Sequence, residues 1–261
     1  VLAGKSISIK DIFNFPIPDH MFGKFVIAER RIFVFGRDTV KHFCGVFHEI
    51  CLFHYPAGQI VQAGQNFFQK SFDRLPDEGL WAHRKEKILR QKKAEDRCLT
   101  LAAGLLARRA FLKMKVSFSA LSLEKGGKPV IADEKHFFNL SHSGMYAVCA
   151  YGLSPSGVDI QKETPDRFHI AERCFTEGEQ ALIREQGPEM FTRIWARKES
   201  YLKFTGQGIR VPLNSFEVLP GEQTLPVFFQ EFTLEGYRIA LCSEEEMAVS
   251  LKFLTLEELL F

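Results

Sequence analysis

The chain contains no CxxC pair and no cysteine–histidine spacing of the kind that holds zinc. Its six cysteines (Cys44, Cys51, Cys98, Cys149, Cys174 and Cys242) are scattered over 261 residues. That pattern excludes a disulfide-stapled mini-fold and leaves reduced, mostly buried thiols as the expectation. No apolar run reaches bilayer-spanning length, and no charged-then-apolar leader opens the chain. The expectation is a cytoplasmic protein without membrane attachment. Net charge is also scarce: 34 Lys and Arg against 32 Asp and Glu give +2, too little to attract nucleic acid by itself. A Walker P-loop is missing too. Lys125-Gly126-Gly127-Lys128 is followed by Pro129, where that motif needs Ser or Thr.

What is abundant is phenylalanine, 26 residues of it, so aromatic packing should dominate a core that a chain of this length can build. The basic residues are unevenly spread. Between Arg84 and Lys115 eleven of them face only Glu86, Glu95 and Asp96. This stretch reads either as a solvated helix face or as a rim for phosphate, and spacing alone leaves both open. RNA binding is disfavoured, because no recognition motif or aromatic stacking platform accompanies the charge.

In chain order, residues 25–27 and 31–35 suggest two strands in a β-rich lead-in of about 45 residues. Residues 46–55 read as a core strand closed by Pro56-Ala57-Gly58, and 62–72 as a short helix. Leu80, Trp81, Ile88 and Leu89 mark one face of a helix beginning after Asp77. Leu99 to Phe111 mark a longer, more buried one. Residues 137–140 and 145–151 read as strands flanking a polar turn, Ser141-His142-Ser143-Gly144. A linker at 153–157 leads to a strand over 158–161, then helical stretches near Phe168 and over 177–185. A helix over 188–204 is framed by Pro188 in its first turn and Gly206 past its end. Strands near 227–229, 237–241 and 247–253 follow. Strands around one long helix occur twice, which divides the chain into an extension (1–45), a first half (46–152) and a second half (153–261).

The chemistry-bearing residues cluster late. On the strand, Asp159 and Gln161 are two apart and share a face. Glu199 lies one helical turn from both Trp195 and Lys203. A carboxylate from a strand and another from a helix are hard oxygen ligands suited to Mg²⁺ held against a phosphate. Ser141, His142 and Ser143 offer hydroxyls and an imidazole, and Lys128 and Lys203 offer point charges. Each has a blander reading: a lone turn histidine is more often structural, and Gly-Val-Asp is a common strand end.

The order GGKP, FNLSHSG, GVDIQK and WARKESYLKFTGQG resembles the 4'-phosphopantetheinyl transferases, specifically their surfactin-type branch. The resemblance covers roughly residues 46–261. It implies an α+β fold that is a pseudo-dimer of two similar halves, with the active site at their interface. It implies transfer of the phosphopantetheine arm of coenzyme A to a serine of an acyl- or peptidyl-carrier protein, with release of 3',5'-ADP. The enzyme would be a monomer and Mg²⁺-dependent, with Mn²⁺ as the substitute. By the same resemblance, Asp159 and Glu199 hold the metal with Gln161, Glu199 accepts the serine proton, and Lys203 neutralises the diphosphate. Arg84, Lys87, Arg97, Lys128, Pro129, Ser141 and His142 would contact coenzyme A. One departure stands out: the family commonly has a second acid where this chain has Gln161, which lowers the charge available to a cation. That leaves a non-catalytic binding module with a decayed metal site as the rival reading.

Overall fold

Alternation along the strands sorts the molecule into layers. The structure, a computed structural model, describes residues 24–28, 31–35, 47–54, 68, 71–77, 79–124, 127–164 and 167–260. Cys44, the Pro56–Gly58 turn, most of the expected 62–72 helix, Gly126 and the rest of the lead-in lie outside them. Strands β1 (Lys24–Ala28) and β2 (Arg31–Phe35) pair antiparallel. β3 (Phe47–His54) is followed by helices α1 (Gly79–Arg90) and α2 (Ala94–Met114). A short hairpin of β4 (Leu121–Leu123) and β5 (Pro129–Ile131) leads to β6 (Phe137–Ser143) and β7 (Tyr146–Gly152). Next come β8 (Ser156–Lys162), α3 (Phe168–Cys174), α4 (Glu177–Gln186) and α5 (Pro188–Thr205). The chain closes with β9 (Phe228–Leu234), β10 (Tyr237–Ser243), β11 (Ala248–Leu254) and α6 (Leu256–Leu260).

One sheet runs in the order β1-β2-β11-β3-β7-β6, with β11 and β3 parallel and the other neighbours antiparallel. A second runs β8-β10-β9. Odd-numbered residues of β3 and β7 (Cys51, Phe53, Ala147, Cys149, Tyr151) pack with the buried apolar residues of α2. The even-numbered Ile50, Leu52, Val148 and Ala150 face the second sheet, meeting Val158, Ile160, Ile239 and Leu241. This is the period-2 rule with both faces buried. The other face of β8 and β10 is covered by α5. The layers are therefore helix, sheet, sheet, helix, an α+β arrangement.

Three expectations need correction. Ser141, His142 and Ser143 are not a turn but the end of β6; the turn is Gly144–Met145, where a Cβ on Gly144 (φ 57°) would strike the Tyr237 hydroxyl. The linker is shorter than expected, because Ser156 and Gly157 already belong to β8. Leu89 is 55% exposed, and the buried position on α1 is instead Lys85. Its ammonium pairs with Asp77 and lies over the Phe72 ring, so an apolar stem is buried while the charge is satisfied.

Candidate active site

Gly157 sets how closely β8 and α5 approach. A Cβ there would overlap the Ser200 carbonyl oxygen and the backbone of Phe204, so only glycine allows the strand to lie against the helix. With Val158 and Ile160 turned into the inter-sheet core, Asp159 faces α5. The Asp159 residue is 5% exposed. Its Oδ1 accepts from Lys203 Nζ at 2.6 Å and from Ser141 Oγ at 2.7 Å. The same ammonium donates to Ser141 Oγ at 2.8 Å and to the Val158 carbonyl at 3.2 Å. The second oxygen, Oδ2, is buried and has no hydrogen-bond partner among the described residues.

Glu199, one turn before Lys203 on α5, is half-buried. Its carboxyl is held above the ordinary carboxylate range, first by burial and then by the charge of Asp159, with Lys203 opposing. The two acids are thus close enough to repel. Gln161 lies on the same strand face as Asp159, half-buried, and its amide makes no hydrogen bond among the described residues. Among the described residues no three acidic, histidine or cysteine side chains gather as a metal cluster. The two carboxylates, one with an orphaned oxygen, and a neighbouring amide nevertheless fit a hard divalent cation. Such an ion takes oxygen ligands and completes its shell with water or phosphate.

The strand β6 joins the sheets by side chains. Phe138 and Leu140 turn toward α2, so Asn139, Ser141 and Ser143 turn the other way. Asn139 Oδ1 accepts from Val158 N at 3.0 Å, Ser141 donates to Asp159, and Ser143 Oγ accepts from Lys162 N at 3.0 Å. Asn139, within the FNLSHSG block, was given no role in the sequence expectations, although its alternation with the two serines was visible.

His142 points away from this seam. Its imidazole is held below its ordinary value by desolvation first, then by the charges of Lys203, Arg84 and Lys87, with Asp96 opposing. The expected residues Arg84, Lys87 and His142 therefore share one neighbourhood. Arg84 crosses α2 at Gly104, where a Cβ would lie 2.9 Å from Arg84 Nε. That Nε is buried without a hydrogen-bond partner among the described residues, and burial pushes the guanidinium down to about 10, with Cys149 opposing. Arg97, half-buried in the first turn of α2, is not among the charges acting on His142. Lys128 donates to the Phe204 carbonyl at 3.2 Å and so holds the C-terminal end of α5, where cations are favoured. Pro129 opens β5, half-buried.

One further pair was missed. Lys198, adjacent to Glu199, is fully buried with Glu179 of α4 at 2.9 Å. Its ammonium also donates to the carbonyls of Leu213 and Phe216, each at 2.6 Å, and lies over the Phe216 ring. Glu179 accepts from Val218 N at 2.9 Å and from Thr176 N at 3.0 Å, completing a capping box at the start of α4. Burial holds Lys198 below the usual lysine range, with Glu179 opposing.

Comparison with known proteins places this geometry in context. Residues 155–250, which carry Asp159, Glu199 and Lys203, match the model of the 4'-phosphopantetheinyl transferase superfamily. The 4'-phosphopantetheinyl transferase Sfp of Bacillus subtilis (strain 168) is 30% identical over 199 residues, covering 68% of this chain and 88% of that protein. The 4'-phosphopantetheinyl transferase psf-1 of Bacillus pumilus is 35% identical, over 52% and 66%. The human L-aminoadipate-semialdehyde dehydrogenase-phosphopantetheinyl transferase is 34% identical, over 51% and 50%. Among solved structures, the holo-[acyl-carrier-protein] synthase (AcpS) of Thermotoga maritima overlaps 34% of this chain and 61% of that one. At 17% identity and a TM-score of 0.30, that likeness is too slight to bear on the fold.

Proposed function

The chain belongs to the 4'-phosphopantetheinyl transferases, in their surfactin-type branch, and from that premise we propose how its residues divide the work. The protein is an enzyme that transfers the phosphopantetheine arm of coenzyme A to a serine hydroxyl of a carrier protein, turning apo carrier into holo carrier with release of 3',5'-ADP. In this reading it is a Mg²⁺-dependent holo-[acyl-carrier-protein] synthase, with Mn²⁺ as a substitute, monomeric and cytoplasmic. No helix among the described residues is long and apolar enough to cross a membrane. Its halves, 46–152 around α2 and 153–261 around α5, form a pseudo-dimer with the site at their interface, and residues 1–45 add a β-rich extension.

The observation that carries the assignment is Asp159: one oxygen bonded by Ser141 and Lys203, the other buried and unpaired, with Glu199 close enough to repel it. Asp159 and Glu199, with Gln161 alongside, are the groups that would hold the divalent ion. When bound, the ion supplies charge neutralisation on the diphosphate of coenzyme A. Lys203 adds a fixed positive charge where the leaving phosphate gathers negative charge. Glu199 accepts the proton of the carrier serine, directly or through one water. Arg84, Lys87 and His142 receive the nucleotide phosphates, with Arg97 at the margin of that patch, while Lys128 and Pro129 form the wall nearest the end of α5.

The deciding assay incubates the protein with coenzyme A, Mg²⁺ and an apo-carrier protein and weighs the carrier by mass spectrometry. The expected result is a gain of one phosphopantetheine, abolished by chelation. No gain, with coenzyme A still bound, would favour the non-catalytic module instead. Gln161→Glu restores a second acid on the Asp159 face, so the Mg²⁺ concentration giving half-maximal rate should fall while the product stays the same. Equal Mg²⁺ dependence of the two proteins would show that Gln161 lies outside the cation's reach.

A further inference from the structure

The two sheets meet along β6 and β8, and no backbone ladder joins those strands, since β6 pairs with β7 and β8 with β10. Side chains stitch the seam: Asn139 to the Val158 amide, Ser141 to Asp159 and Ser143 to the Lys162 amide. At its far end the seam reaches one rung of the second sheet, where Lys162 lies opposite Tyr237. Four consecutive residues at the β6–β7 turn rest on that rung. Ser143 Oγ accepts from Lys162 N at 3.0 Å, and Tyr237 Oη accepts from Met145 N at 3.0 Å. A Cβ on Gly144 would lie 2.2 Å from the same phenol oxygen. The Tyr146 ring meets the Tyr237 ring edge-on, with centroids 4.8 Å apart. Tyr237 is 3% exposed and belongs to the inter-sheet core. A phenylalanine ring would fill that core as well, so packing does not account for the hydroxyl.

We infer that Tyr237 is a positioning residue. Its hydroxyl clasps the β6–β7 turn to β10, and so fixes the sheet that carries His142 against the sheet that carries Asp159. On the assignments made above, one coenzyme A molecule spans both sides of the seam. Its nucleotide phosphates lie at Arg84, Lys87 and His142, and its diphosphate lies at the cation held by Asp159 and Glu199. The two sites must keep a fixed spacing for the reacting phosphorus to meet the carrier serine. A misplacement of about 1 Å can slow such a step about 10²-fold. Asn139 and Ser141 hold the middle of the seam, so without the phenol oxygen its far end is left to Ser143. The inference rests on the proposed division of coenzyme A between the two sides.

The test compares wild type with Tyr237→Phe, which keeps the ring and removes only the oxygen. Coenzyme A affinity is measured by calorimetry in chelator and again with Mn²⁺. Mn²⁺ affinity is read from the electron paramagnetic resonance of the free ion, with and without coenzyme A. In wild type each ligand should tighten the other about 5- to 150-fold, by the same factor in both directions. In Tyr237→Phe each affinity alone should match wild type, while the mutual tightening shrinks about fivefold or more. Transfer to an apo-carrier protein should fall about 10- to 100-fold in kcat, with KM for coenzyme A changing less. A lower melting temperature with coupling and kcat intact would overturn the inference and leave Tyr237 a structural residue. Loss of coenzyme A affinity in chelator would overturn it too, because the hydroxyl would then build the nucleotide site itself. Wild type that binds both ligands without coupling would remove the reading beneath the inference, and the inference with it. Gly144→Ala made in both backgrounds tests the contact independently. Its backbone strain is common to the two, so it should slow transfer less in Tyr237→Phe, where the methyl meets no oxygen. Equal slowing in the two backgrounds would show that the clasp does not bear on transfer.

Discussion

Replacing Glu199 by alanine should cut transfer to the carrier protein by about 10²–10⁴-fold while coenzyme A still binds in the presence of chelator. The basic residues assigned to the nucleotide phosphates lie on α1 and β6, not on α5. Two losses combine in the slower reaction. On the proposed assignment, the serine proton loses its acceptor and the cation loses one of two carboxylates. Glu199→Gln separates them, because an amide keeps a ligand oxygen and removes the basicity. Transfer should therefore stay low in Glu199→Gln while Mn²⁺ binding recovers in part. Stability should not suffer in either variant, since the carboxylate is half-buried and repelled by Asp159. Thermal unfolding beside single-turnover kinetics is the measurement. Full transfer by Glu199→Ala would eliminate Glu199 as the base.

The second large effect concerns folding rather than chemistry. Lys198→Met alone, or Glu179→Leu alone, should cost about 3–5 kcal/mol, because each leaves the partner's charge buried and uncompensated. Both side chains have 0% exposure, so water cannot compensate either one. The double variant should lose less than the sum of the single losses, with a coupling of up to about 3 kcal/mol. It should not return fully to wild type, since Val218 N, Thr176 N and the carbonyls of Leu213 and Phe216 lose partners too. Urea unfolding of the four proteins gives the cycle directly. Additive losses would mean that the ion pair is not what joins α4 to α5. The double variant has a further use: Lys198 and Glu199 are consecutive on α5, so loosening this anchor should lower turnover more than coenzyme A affinity.

Local signs made much of this readable from the sequence. Pro188 and Gly206 frame α5 as their backbone preferences require, Gly206 adopting φ 70°. The Asp159–Gln161 alternation put the acid on the correct strand face. Errors arose where side-chain polarity was taken for exposure. Ser141 to Ser143 looked like a turn because they are polar, yet two of them face a second strand and bond to it. Lys198 follows Phe191 and Ile194 on the spacing of a buried stripe, and a lysine there implies an internal partner. Glu179 could not be named as that partner, because it is nineteen positions away on another helix. Gly157 read as linker because its reason is the backbone of α5, which leaves no local trace. Nor does any local pattern announce that β11 returns to lie beside β3, parallel pairing being a long-range choice.

That return has a consequence for how the protein is made. β11 is an interior strand of the larger sheet, between β2 and β3, although it is synthesised after every other strand described. While the ribosome is still translating the second half, β3 presents an open edge of unpaired backbone groups, Ile50 and Leu52 among its residues. The nascent first half therefore cannot close on its own. That edge of β3 must wait while some 190 residues beyond His54 emerge, a vectorial delay that leaves it open to chaperones.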